Sequence, residues 1–181
     1  MNSELRERAA RIRLLLMDVD GVLTDGKLYN LPGSAEGLVW ETKAFDSQDG
    51  IALQWLHWHG IRTGLISGRD SPATAARARQ CHFSYIYQGH IEKIPVLEEI
   101  LADSAEPAER VAYIGDDLTD MVVMRRVGLA IATANARPEV KRSAHWTTSA
   151  SGGAGAVREV CETLLRAQGL WDQILRKYEV E

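Results

Sequence analysis

The sequence has little cysteine and no long apolar run. Its 181 residues include two cysteines, Cys81 and Cys161, and such distant thiols indicate reduced, buried side chains rather than a disulfide. No apolar segment approaches the roughly 18 residues that a membrane-spanning helix requires. The N-terminal stretch MNSELRERAARIR is charged throughout and lacks the apolar core of a signal peptide. These absences predict a cytoplasmic protein that has no membrane partner.

An excess of positive charge is also absent. The formal net charge is −4 at pH 7, which argues against nucleic acid as the main partner. Hydrophobic residues make up 45% of the chain and charged residues 25%, as in ordinary globular proteins. Because the chain shows no repeats, low-complexity tracts or dividing linker, we expect one domain over residues 1–181.

Short apolar runs alternate with helical patterns along the chain. Strands are predicted at residues 12–17, 61–67, 83–87, 110–115, 129–132 and 145–148, and helices at 49–59, 71–80, 93–104 and 119–127. This alternation predicts an α/β fold, a Rossmann-like three-layer sandwich whose mostly parallel sheet is covered by helices on both faces. Residues 26–42 break the alternation with two strand-like pieces around LPGSAEG, which predicts a β-hairpin inserted after the first strand.

Four of the predicted strands end in residues that can carry out chemistry. Asp18 and Asp20 follow the first strand, Ser67 follows the second, Lys93 comes shortly after the third, and Asp116 follows the fourth. Ligands of open α/β sheets bind outside the carboxyl ends of the strands. We therefore expect these five side chains on one rim of the sheet.

These residue types fit the transfer of a phosphoryl group. A carboxylate can attack phosphorus to form an aspartyl-phosphate, but it must approach an anion. A divalent cation such as Mg²⁺ removes that repulsion, and Asp18 and Asp116 suit its ligand roles. Asp20 could protonate the leaving alkoxide. Ser67 could donate to a phosphoryl oxygen, and Lys93 could neutralise charge on the transferring group.

The same segments resemble the four motifs of the haloacid dehalogenase superfamily of aspartate-nucleophile phosphatases. The matching stretches are DVDGVLTDG (18–26), ISGR (66–69), Lys93 and GDDLTD (115–120). The resemblance implies that Asp18 is the nucleophile, that Asp20 is the general acid and base, and that Asp18, Asp20 and Asp116 hold Mg²⁺. It implies substrate contacts from Asp20, Ser67, Gly68, Arg69 and Lys93. No stretch between the motifs is long enough for a separate cap domain.

Within that superfamily the chain is similar to the 3-deoxy-D-manno-octulosonate 8-phosphate phosphatase family. The similarity rests on the absent cap, the hairpin 26–42, YQGHIEK (87–93) and the ending GGAGAVREVCETLLRAQG (152–169). It implies a phosphomonoesterase for a sugar-acid phosphate of lipopolysaccharide biosynthesis. It also implies a homotetramer whose hairpins form a central barrel, with each C-terminal tail (170–181) able to reach a neighbour's active site. Gln48 and Ala154 stand where this family commonly has arginine.

Two segments carry apolar side chains that need a partner surface. The hairpin has more apolar surface than a two-stranded ribbon can bury, which predicts an oligomer closed by hairpin packing. The tail places Trp171, Ile174, Leu175 and Tyr178 on one helical stripe, which predicts packing on its own body or on a partner.

Other interpretations of the motifs stay open. A related capless phosphatase could act on a nine-carbon sialic-type acid 9-phosphate. A phospho-receiver module uses similar groups, although its acid pair precedes the phosphorylated aspartate, whereas Asp18 comes first here. A catalytically inactive subunit would not need the complete set of motifs. Asp117 and Asp120 are assigned supporting roles at the next helix, and Asp25 is either a turn residue or a site residue.

Overall fold

The computed structural model describes residues 2–34 and 37–180 and contains a six-stranded parallel sheet. In chain order the strands are β1 (Leu14–Met17), β2 (Tyr29–Pro32), β3 (Val39–Thr42), β4 (Arg62–Ile66), β5 (Tyr85–Tyr87), β6 (Val111–Gly115), β7 (Leu129–Ala132) and β8 (Trp146–Thr147). The sheet order is β5-β4-β1-β6-β7-β8, and β2 pairs with β3 alone. Strand β1 therefore lies between β4 and β6, where it is paired along its length on both sides.

Helices cover both faces of this sheet. They are α1 (Ser3–Arg11), α2 (Ser47–Trp58), α3 (Pro72–Gln80), α4 (Lys93–Ser104), α5 (Met121–Met124), α6 (Pro138–Ser143), α7 (Ala156–Ala167) and α8 (Trp171–Lys177). The four side chains of β1 are fully buried and alternate between two cores. Leu15 and Met17 pack with α1, α2 and α7, whereas Leu14 and Leu16 pack with α4 and α5. The predicted three-layer α/β sandwich is confirmed.

The predicted hairpin is an antiparallel pair that stands apart from the main sheet. Tyr29 pairs with Thr42 and Leu31 with Trp40. Its apolar side chains are between 38% and 60% exposed: Leu28, Tyr29, Leu31, Leu38, Val39 and Trp40. Ala35 and Glu36, at its tip, lie outside the described residues. The hairpin thus offers a continuous apolar ribbon that the described part of the chain leaves uncovered.

The C-terminal tail packs on the body of its own chain. Ile174 is buried, and Trp55 of α2 contacts Trp171 edge-on with ring centroids 5.8 Å apart. The indole Nε1 of Trp55 also donates a hydrogen bond to the Tyr178 hydroxyl at 3.1 Å. The stripe predicted in the tail is therefore partnered by α2 within the same chain.

The helix predicted over 119–127 is shorter than expected. A 3₁₀ turn at Leu118–Asp120 precedes α5, which ends at Met124. The Asp120 carboxylate accepts hydrogen bonds from the backbone N–H groups of Asp116 and Asp117, at 2.9 and 3.2 Å. The Asp120 side chain thus caps the tight 3₁₀ turn that takes the place of the first predicted helical residues. Among the described residues, no helix has the length and apolar character needed to cross a membrane.

Candidate active site

A cavity of about 290 Å³ opens at the carboxyl ends of the central strands. Its walls include all seven residues that the sequence predicted for the site: Asp18, Asp20, Ser67, Gly68, Arg69, Lys93 and Asp116. Strands β1, β4 and β6 are neighbours in the sheet, so the segments that follow them meet at one edge. The sheet topology thus brings distant sequence motifs together, as ligand sites in open α/β sheets require.

The loop after β1 turns back sharply over its own start. The backbone N–H groups of Leu23 and Thr24 both donate to the Val19 carbonyl, at 2.9 and 3.1 Å. Gly21 has a φ of +85°, and a Cβ atom there would lie 2.0 Å from Asp116 Oδ2. Glycine supplies this backbone conformation at no steric cost. Its missing side chain lets the β1 loop approach the Asp116 carboxylate.

Lys93, the first residue of α4, is a buried cation between two acids. Its Nζ lies 3.2 Å from Asp18 Oδ1 and 2.7 Å from Asp120 Oδ1, and it donates to the Tyr113 hydroxyl at 3.1 Å. Burial acts to lower the pKa of Lys93, but the negative charges of Asp120 and Asp18 outweigh it and the pKa is raised. The ammonium therefore stays charged at neutral pH and can face an anion in the cavity.

Asp18, Asp116 and Asp120 form a compact acidic group. One carboxylate oxygen from each lies within 4.8 Å of the others. Desolvation, followed by the charge of Asp120, raises the pKa of Asp18 to about 6, and the same two causes raise the pKa of Asp116 to about 7. Burial and the neighbouring negative charges together thus outweigh the opposing charge of Lys93 at both carboxyl groups.

The donor set of this group fits a hard divalent cation. Both oxygens of Asp120 are already occupied, Oδ1 by Lys93 and Tyr113 and Oδ2 by backbone N–H groups. Asp116 Oδ1, in contrast, is buried and has no hydrogen-bond partner among the described residues. Asp18 and Asp116 are thus the carboxylates that remain available, and Mg²⁺ commonly takes one or two.

Asp20 lies in a different electrostatic environment from Asp18. Its Oδ1 accepts a hydrogen bond from Lys43, and its Oδ2 lies 3.7 Å from Arg69 Nε. Arg69 also donates to Glu41, and Lys43 Nζ lies 3.6 Å from Glu41 Oε1. The carboxylate of Asp20 is not a member of the acidic group described above, and its part in metal binding stays a prediction. Both carboxylate oxygens of Asp20 face cations instead.

Two residues of this network, Glu41 and Lys43, were missed by sequence reasoning. They come from the end of β3 and the residue beyond it, so the inserted hairpin reaches the cavity rim. Neither belongs to a motif after a strand of the main sheet. The letters ETK (41–43) place two charged residues at the end of a strand-like piece. Nothing in the local sequence indicated that Lys43 would contact Asp20.

The remaining motif residues have clear local partners. Ser67 is buried after β4, its N–H donates to the Tyr87 carbonyl at 2.9 Å, and its Oγ accepts from the Arg69 N–H at 3.2 Å. Asp117 lines the cavity and caps the 3₁₀ turn through the Leu118 N–H at 2.7 Å. Asp25 accepts from the Lys27 N–H and the Tyr29 hydroxyl, at 3.0 and 2.6 Å, which is the bonding of a turn residue.

The central strand of this parallel sheet is followed by DVD (18–20), and a serine, a lysine and an acidic loop lie beside that segment. Together these features define a class of hydrolase. The model of the haloacid dehalogenase-like hydrolases matches residues 69–159. The chain belongs to this class.

Relatives identify the family within that class as 3-deoxy-D-manno-octulosonate 8-phosphate phosphatase. The protein of that name from Yersinia pestis, KdsC, is 43% identical over 162 residues, which cover 90% of this chain and 84% of that protein. The one from Escherichia coli is 39% identical over 173 residues, which cover 96% and 89%. The chain is a member of this family, as its motifs predicted.

Solved structures match in three dimensions. A probable yrbi family phosphatase from Pseudomonas syringae has a TM-score of 0.93 at 40% identity, over 99% of both chains. The 3-deoxy-D-manno-octulosonate 8-phosphate phosphatase from Moraxella catarrhalis has a TM-score of 0.91 at 38% identity, over 98% of this chain and 99% of that one. That structure is a complex with magnesium ion, phosphate ion and a KDO molecule. These neighbours confirm the predicted fold class.

Proposed function

We propose that this protein hydrolyses 3-deoxy-D-manno-octulosonate 8-phosphate as a Mg²⁺-dependent phosphomonoesterase. The observation that carries the proposal is the pairing of Asp18 with Lys93, 3.2 Å apart, in an open cavity. Beside this pair lies Asp116 Oδ1, which has no hydrogen-bond partner in the part of the chain that the structure describes. This arrangement offers a nucleophile, a cation for the phosphoryl oxygens and a place for a metal ion. The family membership supplies the substrate.

The first step is attack by Asp18. A carboxylate oxygen of Asp18 bonds to phosphorus while the bond between phosphorus and the sugar oxygen breaks. The leaving alkoxide takes a proton from Asp20, whose Oδ2 faces the cavity wall formed by Arg69. Water then attacks the aspartyl-phosphate as Asp20 accepts its proton, and Asp18 and inorganic phosphate are released.

The other site residues stabilise charge and orient the substrate. Lys93 faces the transferring phosphoryl group, and Ser67 with the backbone at Gly68 borders the same space. Asp18 and Asp116 would hold Mg²⁺, which reduces the repulsion between the carboxylate and the phosphate when it is bound. The Arg69 guanidinium suits the carboxylate of a sugar acid because it presents planar paired donors.

The assembly and location belong to the same proposal. The exposed apolar ribbon of the hairpin supports a homotetramer closed by hairpin packing. A tail that reaches a neighbour's site stays a prediction, because the described tail lies on α2 of its own chain. We also propose that residues 1–181 form one phosphatase domain. We propose that the protein acts in the cytoplasm and has no nucleic acid or membrane partner.

A phosphate-release assay tests the proposed function. The full chain should turn over 3-deoxy-D-manno-octulosonate 8-phosphate with Mg²⁺, should lose activity in excess EDTA, and should recover when Mg²⁺ is restored. A nine-carbon sialic-type acid 9-phosphate is the matched alternative substrate. A higher kcat/KM for that substrate would transfer the assignment to the nine-carbon acid, and phosphorylation without turnover would indicate a receiver module.

A further inference from the structure

We propose that Lys43 is a positioning residue for Asp20, and that the hairpin thereby fixes the orientation of the general acid. The inference rests on the proposed function, because it assigns Asp20 the role of acid and base. It adds a residue outside the four motifs to the machinery. It also gives the hairpin a part in the chemical step itself.

Lys43 is a buried cation that is committed to the site. Its side chain is 2% exposed, and its Nζ donates to Asp20 Oδ1. A second carboxylate oxygen, Glu41 Oε1, lies 3.6 Å away. A desolvated ammonium is costly unless acids partner it, so this side chain has little freedom to leave these two carboxylates. The contact between Lys43 and Asp20 therefore persists as long as the hairpin keeps its place at the cavity rim.

The contact distinguishes the two oxygens of Asp20. An ammonium has donors only, so Oδ1 is held as an acceptor. The oxygen left to carry a transferable proton is Oδ2, because Arg69 Nε is 3.7 Å from it, beyond hydrogen-bond distance. Both Asp20 and Arg69 line the cavity. Lys43 thus selects the carboxyl oxygen that faces the leaving group.

The two catalytic aspartates are held by different lysines. Lys93 of α4 lies 3.2 Å from Asp18 Oδ1, whereas Lys43 of the hairpin bonds Asp20. Asp18 and Asp20 are two residues apart and could otherwise compete for one cation. Separate cations from separate elements let each carboxylate keep its own orientation. This division is what a nucleophile and a proton donor on the same short loop require.

Matched variants test the assignment. Lys43→Met removes the charge at similar length, Lys43→Arg keeps a donor, and Lys27→Met changes an exposed lysine of the same hairpin. The readout is kcat/KM, which reports attack by Asp18 and departure of the leaving group. It is measured with glycerol phosphate, a poor leaving group, and with 4-nitrophenyl phosphate, a good one.

A positioning role predicts a loss that depends on the leaving group. Lys43→Met should lose about 10- to 100-fold in kcat/KM with glycerol phosphate but little with the nitrophenyl ester, which needs less acid catalysis. Lys43→Arg should recover part of the loss, and Lys27→Met should match the unmodified protein. Equal losses with both esters would overturn the assignment, because a merely structural role damages both reactions alike.

A structural measurement decides the same point without turnover. A crystal structure of Lys43→Met should show the Asp20 carboxyl group rotated away from its present orientation, with Asp18 and Lys93 unmoved. An unchanged Asp20 would contradict the inference. If the unmodified chain fails to hydrolyse 3-deoxy-D-manno-octulosonate 8-phosphate, the proposed substrate fails, while the two esters and this structure still decide on Lys43.

Discussion

Asp18 is the residue on which the proposed chemistry depends most directly. Asp18→Asn should abolish turnover and leave the fold intact, because an amide is a far weaker nucleophile and also removes repulsion from the acidic group. Steady-state kcat and thermal unfolding measure the two effects. Asp25→Asn, in the same loop but bonded within its turn, is the control that should keep activity. An Asp18→Asn protein with substantial kcat would exclude this residue as the nucleophile.

Tyr113 supports the charged centre from inside the sheet. Its hydroxyl is fully buried, donates to Asp120 Oδ1 at 2.7 Å and accepts from Lys93 at 3.1 Å. Tyr113→Phe should lower the free energy of unfolding by about 1 to 3 kcal/mol, because buried polar groups lose a partner. We expect kcat to fall while KM changes little, since Lys93 is less firmly placed.

Urea unfolding and steady-state kinetics check this prediction. Tyr87→Phe is the matched control, because its hydroxyl bonds Glu99 in an exposed pair at 2.7 Å. The loss in free energy of unfolding for Tyr87→Phe should be small, because the pair is exposed to solvent. A Tyr113→Phe protein that keeps both its stability and its kcat would show that the hydroxyl is dispensable.

At the scale of elements, Asp49 joins two helices. It lies in α2, and its Oδ1 accepts the backbone N–H of Arg158 in the first turn of α7 at 2.7 Å. This acceptor satisfies one of the N–H groups that a helix start leaves free. Burial raises the pKa of Asp49 to about 6, and the charge of Asp46 adds to the shift. The contribution of Asp49 to the stability of the fold therefore depends on pH.

The sign of this dependence follows from linkage. The folded protein keeps the proton on Asp49 up to about pH 6, whereas the unfolded chain releases it near the ordinary value of 3.8. The group therefore favours folding most at low pH, and stability falls as pH rises from about 4 to about 6. The loss is of the order of 2 to 3 kcal/mol at most.

Asp49→Asn isolates this contribution, because the amide has no such proton to lose. The difference in free energy of unfolding between Asp49→Asn and the unmodified protein should grow in favour of the variant from pH 4 to 6 and then level off. Urea unfolding in EDTA at several pH values measures it. A difference that stays constant over this range would contradict the raised pKa.

The hairpin is the element whose role extends beyond its own chain. Leu28 and Trp40 are 54% and 59% exposed, so replacing both with glutamate costs little within one chain. The proposed tetramer should nevertheless dissociate, because charge would replace its apolar contact. Sedimentation velocity measures this, with Val122→Glu on α5 as a control that should leave the sedimentation coefficient unchanged. Unaltered sedimentation of the double variant would place the interface elsewhere.

The sequence predicted the elements that depend on local patterns. Buried strands such as β1 are continuous apolar runs, and parallel strand ends meet at one edge, so the positions of Asp18, Ser67 and Asp116 followed from the motifs. Lys43 was missed because it arrives from a hairpin whose packing direction no local pattern specifies. The helix after β6 begins later than predicted because a 3₁₀ turn, capped by the Asp120 carboxylate, occupies its first residues.

For the whole molecule, the sheet order explains why the site can be rigid. Strands β4, β1 and β6 lie inside the sheet, and the side chains of β1 are fully buried. The groups proposed as catalytic that follow these strands therefore rest on a well-packed scaffold. The hairpin is the exception, because it contributes Lys43 and Glu41 from outside that sheet. Part of the environment of Asp20 is consequently supplied by a hairpin whose apolar side chains are exposed.

Because Lys43 lies on the hairpin, the proposed assembly predicts that specific activity depends on protein concentration. The hairpin that orients Asp20 also carries the apolar ribbon that neighbouring chains would cover. Turnover per chain should therefore fall on dilution below the dissociation constant of the assembly. Adding an excess of the Asp18→Asn chain should restore it, because that chain brings hairpins without a nucleophile. A turnover number that is independent of dilution, with no rescue by the inactive chain, would show that each hairpin holds its lysine in place unaided.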